Sequence, residues 1–175
     1  VPDPVAEVSQ LVSRVLEGRS EYANAMTMAL MHSGYLEAAA DFGQMWIASS
    51  SHEKGKKPNA EREMEKWHAL IHIQLLLGRE KAAVSTIEQS IDESFSPRSR
   101  RIATARWLKK RREFTLADRY YRQALTENVS HEPLRLEAAE VALELGKQEE
   151  AEDHFDRYIA LTDTPSIAHK KIADV

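Results

Sequence analysis

The chain has 175 residues, a formal net charge of −4 and no cysteine, which excludes disulfides, Cys-ligated metals and thiolate catalysis. The hydrophobic fraction of 42% is enough for a packed core. The mildly acidic balance gives no overall attraction to nucleic acid or anionic membranes, and no apolar run approaches the roughly 18 residues of a membrane helix. The composition does not distinguish a cytoplasmic from a periplasmic protein.

Residues 1–19 predict one amphipathic helix. Asp3 and Pro4 form a helix-start pattern, with the acidic residue as cap and proline in the first turn. The apolar positions that follow have helical spacing up to Gly18. They are Val5, Val8, Leu11, Val12, Val15 and Leu16. We expect this helix to cap the domain or to be the second helix of a preceding repeat.

Four segments share a tight turn, a small residue and a bulky residue four positions later. The small residues are Ala38, Ala83, Ala117 and Ala151, at spacings of 45, 34 and 34. The bulky residues are Phe42, Ile87, Tyr121 and Phe155. A period of 34 residues with two apolar stripes predicts helix–turn–helix repeats. At the second turn, Gly78 is expected to end a helix in the left-handed conformation.

These spacings also predict the division of the chain. The first spacing is 11 residues too long, and the polar stretch 49–60, with its Gly and Pro, is assigned to an inserted loop. The other parts of one overall domain are a helix at 1–19, repeats at 20–48, 61–97, 98–131 and 132–165, and the start of a further or capping helix at 166–175. Because a further repeat begins there, we expect the chain to be a piece of a longer repeat protein.

The pattern resembles the tetratricopeptide repeat family over residues 20–165, most closely at Trp67, Leu70, Gly78 and Ala83. The resemblance implies an all-α fold, a right-handed α-solenoid of about four antiparallel helix pairs with flanking helices. It also implies a concave groove lined by the first helix of each repeat. The implied function is a non-catalytic scaffold for protein–protein interaction in a multiprotein complex, with a protein or peptide as partner.

Mapped onto this sequence, the groove positions hold charged and polar side chains. Those expected to contact a partner are Asn24, His68, His72, Arg106, Lys109, Lys110, Glu137 and Glu140. Three of them belong to a basic cluster, Arg98 to Arg112, that no acidic residue interrupts. It predicts either docking of an acidic peptide, terminal carboxylate or anionic polymer, or neutralisation by the acidic residues of the fourth repeat. The stripe lacks interleaved aromatic residues, which disfavours nucleic acid.

Two other motifs bear on function. His68 and His72 lie one helical turn apart beside Glu65, a geometry that can hold zinc, but the segment lacks the Glu that a metalloprotease has after its first His. Some tetratricopeptide domains clamp a terminal carboxylate with two Asn residues, and Ala69 and Ala103 interrupt that clamp here. We therefore expect no binding of a terminal carboxylate by such a clamp. Because two histidines in a groove are usually polar lining, we also expect no metal and no cofactor.

Three functional hypotheses remain. A protein-binding scaffold is favoured over a repeat module of a bacterial envelope assembly that exports exopolysaccharide, which rests on fold analogy alone. A metal-binding or enzymatic domain is the least favoured of the three.

Overall fold

The computed structural model describes the secondary structure of residues 20–50, 60–127, 132–162 and 165–173. These residues form nine helices and no strand, which confirms the predicted all-α fold. The helices are α1 (Ser20–His32), α2 (Leu36–Ser50), α3 (Ala60–Leu76), α4 (Glu80–Asp92), α5 (Pro97–Lys110), α6 (Phe114–Glu127), α7 (Glu132–Glu144), α8 (Gln148–Leu161) and α9 (Pro165–Ala173). The helix predicted at 1–19 and most of the loop predicted at 49–60 lie outside the described residues.

The chain forms two compact units, Val1–Ser90 and Ile91–Val175. In the first unit, α1 packs against α2, and both of these helices contact α3. In the second unit, α5 packs against α6, α6 against α7, α7 against α8 and α8 against α9. Within the described parts of the chain, no helix is both long enough and apolar enough to cross a membrane.

The turns inside the four helix pairs share one hydrogen-bond pattern. In the first, the Gly34 amide donates to the Met31 carbonyl at 3.1 Å, and the Tyr35 amide donates to the Leu30 carbonyl at 2.9 Å. This is a Schellman motif, in which a residue of positive φ ends the helix. The residues of positive φ are Gly34 (81°), Gly78 (68°), Arg112 (63°) and Gly146 (70°). The helix end predicted at Gly78 is thereby confirmed.

The turns also correct the predicted register of the first pair. The Ala39 amide donates to the carbonyl of Tyr35, and the same bond starts each later second helix at Ala83, Ala117 and Ala151. All four alanines are fully buried. Ala39, and not Ala38, is therefore the equivalent small residue, so the spacings are 44, 34 and 34 and the excess is ten residues. Two adjacent alanines made the choice ambiguous in sequence, and only the hydrogen bonds resolve it.

This register places Gly43, and not Phe42, four residues after the small position. A Cβ atom on Gly43 would lie 3.2 Å from Cδ1 and 3.4 Å from Cβ of Leu70, so a side chain here would crowd α3. Phe42 is buried one position earlier, where Tyr120 stands in the third pair. The predicted bulky position is thus empty in the first pair because α2 and α3 approach closely there.

Burial of large side chains orients α5 and α7. The buried residues of α5 are Thr104, Ala105 and Leu108, and those of α7 include Leu134, Ala138 and Val141. Burying a side chain such as Leu108 contributes roughly 1.5–3 kcal/mol. With these apolar stripes inside, the charged residues of α5 and those of α7 other than the buried Arg135 lie at the surface, where the candidate site is found.

Candidate functional site

Three ion pairs connect α5 and the turn after it to α7, and we call them the charge ladder. They are Arg106–Glu137, Lys109–Glu140 and Arg112–Glu144. The cations stand three residues apart and the acids three or four apart, so each set lies along one side of its helix. The structure thereby brings together four of the predicted groove residues: Arg106, Lys109, Glu137 and Glu140.

Arg106 and Glu137 form the most highly ordered pair of the ladder. Arg106 Nε donates to Glu137 Oε2 at 2.8 Å and Nη2 donates to Oε1 at 2.7 Å, which is a two-pronged contact. The hydroxyl of the fully buried Tyr121 donates to Glu137 Oε2 at 2.9 Å. The Glu137 carboxylate is therefore fixed from two helices, α5 and α6.

Ionisation of these groups follows from their contacts. Burial works against ionisation of Glu137, but the hydrogen bonds from Arg106 and Tyr121 outweigh it and hold its pKa below the usual range. Burial, together with the negative charge of Glu137, raises the pKa of Tyr121. Burial lowers the pKa of Lys109, and nearby Arg106 acts in the same direction. Arg106 and Glu137 thus form an ionised pair, and the neutral hydroxyl of Tyr121 donates a hydrogen bond to its carboxylate.

The ladder becomes looser toward the C-terminal end of α5. Lys109 and Glu140 are both about one-quarter exposed. The side chains of Arg112 and Glu144 are 78% and 50% exposed, and their closest atoms are 3.8 Å apart. Exposed pairs of this kind contribute little to stability because water and salt screen them. Structural anchoring is therefore concentrated at Arg106 and Glu137.

Lys110 and Arg111 add two cations at the edge of the ladder. Lys110 is exposed at the end of α5, and within the described residues no ion pair involves it. The guanidinium carbon of Arg111 lies 4.7 Å from the centre of the Trp107 ring, a cation–π contact. The ladder itself balances three cations with three acids. The negative charge of Glu113 acts on Arg111, whereas Lys110 presents an exposed positive charge at this edge.

The other predicted groove residues lie in the first unit. Asn24 is part of α1, and His68 and His72 are half-buried, one turn apart on α3. Their contribution to a common groove stays a prediction. Across the described residues, no group of three His, Asp or Glu side chains is arranged to hold a metal ion.

Sequence reasoning missed a second network, which connects α6 to the turn before α8. Asp118 is buried and accepts hydrogen bonds from Arg122 Nη2 at 2.7 Å and Lys147 Nζ at 2.5 Å. Burial alone would raise the pKa of Asp118, but these two cations lower it overall. Glu150 of α8 contacts both cations as well. The sequence signal was weak, because Asp118 stands in an ordinary i, i+4 pair with Arg122.

Comparisons with known proteins identify the fold. No model of a protein family matches the chain, and neither does any curated protein. The C-terminal part of a TPR repeat-containing protein from Cytophaga hutchinsonii is similar, with a TM-score of 0.51 and 12% identity, over 96% of this chain and 62% of that one. The chain thus spans less than two thirds of that structure's length.

Two further solved structures were found at similar identity. MamA has a TM-score of 0.47 and 11% identity, over 83% of this chain and 80% of its own. YrrB, described as a TPR protein with an unusual peptide-binding site, has a TM-score of 0.46 and 11% identity, over 95% of this chain and 82% of its own. Together with the four Schellman turns, the Cytophaga match shows that this chain has the tetratricopeptide type of helical repeat fold.

Proposed function

We propose that the chain is a non-catalytic scaffold that binds a protein or peptide through the side of α5 and α7 that carries the charge ladder. The observation that carries the proposal is the ordered ladder on the first helices of two consecutive pairs. In the tetratricopeptide fold these helices line the groove, so the ladder faces the surface that the resemblance assigns to a partner.

Order in the ladder supports recognition by charge. The Arg106 side chain is held by two hydrogen bonds to Glu137 yet is 47% exposed. Charged groups that are already fixed lose little conformational entropy when a partner binds. A partner with complementary charges is therefore preferred over one without them. A partner crossing from α5 to α7 would meet a row of cations followed by a row of acids.

The two cations at the edge favour an acidic segment in the partner. Lys110 is exposed and Arg111 is stacked on Trp107, and both extend the row of cations in the ladder. A carboxylate of the partner can bind there without displacing Glu137 or Glu140. We therefore place the acidic part of the partner over Lys110 and Arg111 and its remaining contacts on the ladder.

The test uses reversal at the edge instead of inside the ladder, because reversing Arg106 or Lys109 would break a structural pair. The wild-type chain and the variant Lys110→Glu/Arg111→Glu are used to capture partners from the native lysate, and the captured partner is then purified for calorimetry. We expect the variant to bind at least tenfold more weakly. Circular dichroism checks that both proteins fold.

Two further variants locate the contact. Lys81→Glu reverses an exposed charge on α4 and should leave the affinity unchanged. The exchange Lys109→Glu/Glu140→Lys retains a pair of opposite charges in inverted order and keeps the contact of Tyr121 with Glu137. It should weaken binding if the partner contacts the ladder. Equal affinity for wild type, the edge variant and the exchanged variant would rule out this surface as the docking site.

A further inference from the structure

A buried arginine–histidine pair joins α7 to α8. Arg135 is 4% exposed and His154 is 6% exposed. Arg135 Nη1 lies 3.3 Å from His154 Nδ1. Neither residue belongs to the charge ladder or to the network around Asp118. The pair therefore occupies the interior of the fourth helix pair and has no place in the proposed docking function.

The contact requires a neutral imidazole. A guanidinium group has only donors, so His154 Nδ1 must accept the hydrogen bond and the ring proton must reside on Nε2. Protonation would place a hydrogen on Nδ1 and convert the acceptor into a donor. Two cations would then face each other in the interior, where the loss of hydration is costly.

Neighbouring charges do not offset this conflict. On α8, Asp153 and Glu150 favour protonation and Arg157 opposes it, but Asp153 pairs with Arg157 at 2.9 Å and Glu150 pairs with Lys147 and with Arg122 of α6. On α9, His169 and Lys170 are exposed. Burial, followed by the charge of Arg135, lowers the pKa of His154.

The histidine is specific to the fourth pair. His154 lies three residues after the small position Ala151, and the corresponding residues of the other pairs are Phe42, Thr86 and Tyr120. All four positions are buried. Of these side chains, only the imidazole gains a charge between pH 8 and 5. A buried position that other pairs fill with uncharged groups thus carries a titratable group here.

We propose that the buried contact between Arg135 and His154 is an acid-sensitive latch: protonation of His154 below neutral pH separates α8 and α9 from α7 while the α5–α6 pair stays folded. Each helix pair of a repeat protein contacts mainly its neighbours, so one pair can open locally. The latch uses none of the residues of the proposed docking surface, so the two proposals are tested separately.

The direction of the pH effect follows from linkage. In the folded state His154 remains neutral at pH values where an exposed histidine is already protonated, so its contribution to stability is fully present above the unfolded-state pKa. That contribution is lost as the pH falls below about 6.5, the ordinary histidine value. Because one histidine is involved, the equilibrium constant for separation of α8 from α7 should increase by up to about 25-fold between pH 7 and pH 5.

The test is hydrogen–deuterium exchange of the full chain between pH 7 and pH 5, corrected for intrinsic exchange rates. Peptides of α8 and α9 should open progressively more as the pH falls, while peptides of α5 and α6 serve as an internal standard. The variant His154→Asn keeps an acceptor near the position of Nδ1 and has no ionisable group. It should reduce the pH-dependent increase in α8 and α9 opening to less than threefold.

A matched control uses the exposed histidine of α9. His169→Asn should retain the whole pH response of the wild type, because its ring lies outside the buried pair. An NMR titration of the His154 ring in the wild type provides a second readout and should show a midpoint below about 6.5, the ordinary histidine value. A pH response that is the same in His154→Asn and in the wild type, or one spread equally over α5 and α8, would overturn the latch.

Discussion

Arg112 occupies a backbone position that the other three turns give to glycine. Its φ of 63° lies in the left-handed region, where a side chain costs roughly 1–2 kcal/mol relative to glycine. A Cβ atom at Gly34, Gly78 or Gly146 would meet nothing within 4 Å, so conformation and not space explains the glycines. In return Arg112 gains the long, exposed contact with Glu144 and a cation–π contact, with its guanidinium carbon 5.8 Å from the centre of the Phe114 ring. Both contacts are long, so they offset the backbone strain of the third turn only in part.

We predict that Arg112→Gly stabilises the protein by about 0.5 kcal/mol, because removal of the strain exceeds the loss of an exposed ion pair and a long cation–π contact. Urea unfolding followed by circular dichroism measures the change. The control is Lys110→Gly at the last residue of α5, which should not raise the unfolding free energy because no left-handed strain is removed there. A lower unfolding free energy for Arg112→Gly would show that the contacts of Arg112 with Glu144 and Phe114 contribute more than their geometry indicates.

At the scale of elements, ion pairs connect α5 to α7 at the surface, and α6 packs against both of these helices. Tyr121 of α6 is buried and donates to the same carboxylate that receives Arg106 of α5. Loss of Glu137 would leave the Tyr121 hydroxyl buried without this acceptor, which costs more than the loss of an exposed partner. Glu137 is thus the residue of the ladder on which three helices depend.

We predict that Glu137→Ala destabilises the protein by about 1–3 kcal/mol and Arg106→Ala by about 1 kcal/mol or less. A double-mutant cycle of these two residues should give a coupling of at least about 0.5 kcal/mol, since the contact is two-pronged and half-buried. The matched control is the exposed pair Asp153–Arg157 within α8, whose coupling should be smaller. Equal coupling in both cycles would contradict the anchoring role of Glu137.

At the scale of the whole molecule, the helices form two compact units, and the boundary between the units in sequence falls after Ser90, near the end of α4. The second unit contains its own buried residues, among them Leu108, Tyr120 and Tyr158. It also contains the charge ladder, the network around Asp118 and the buried Arg135–His154 pair. All of the packing described for α5 to α9 is therefore internal to this unit.

We predict that a fragment of residues 91–175 folds without the rest of the chain. Its helix content by circular dichroism should match five helices, and it should melt cooperatively, because α5 to α9 pack against one another in chain order. The fragment from 20 to 90 provides the comparison for the first unit. A second-unit fragment that is helical but melts without cooperativity would show that its stability depends on the first unit.

Periodicity alone determined a large part of this structure. A spacing of 34 residues between Ala83, Ala117 and Ala151 predicted the helix pairs, and Gly78 predicted the end of a helix, since both signals depend on local backbone geometry. The basic cluster and the acids of the fourth repeat were also visible in sequence. Neutralisation of Arg106 and Lys109 by Glu137 and Glu140 was one of two interpretations that those charges allowed.

Tertiary structure decided what periodicity left ambiguous. The choice of Ala39 over Ala38 required the turn hydrogen bonds, and the need for Gly43 required the position of Leu70 on another helix. The contacts of Tyr121 with Glu137 and of Arg135 with His154 join residues 16 and 19 positions apart, so no local pattern specifies them. Local sequence sets where helices begin and end, whereas partners of buried polar groups depend on how the helices pack.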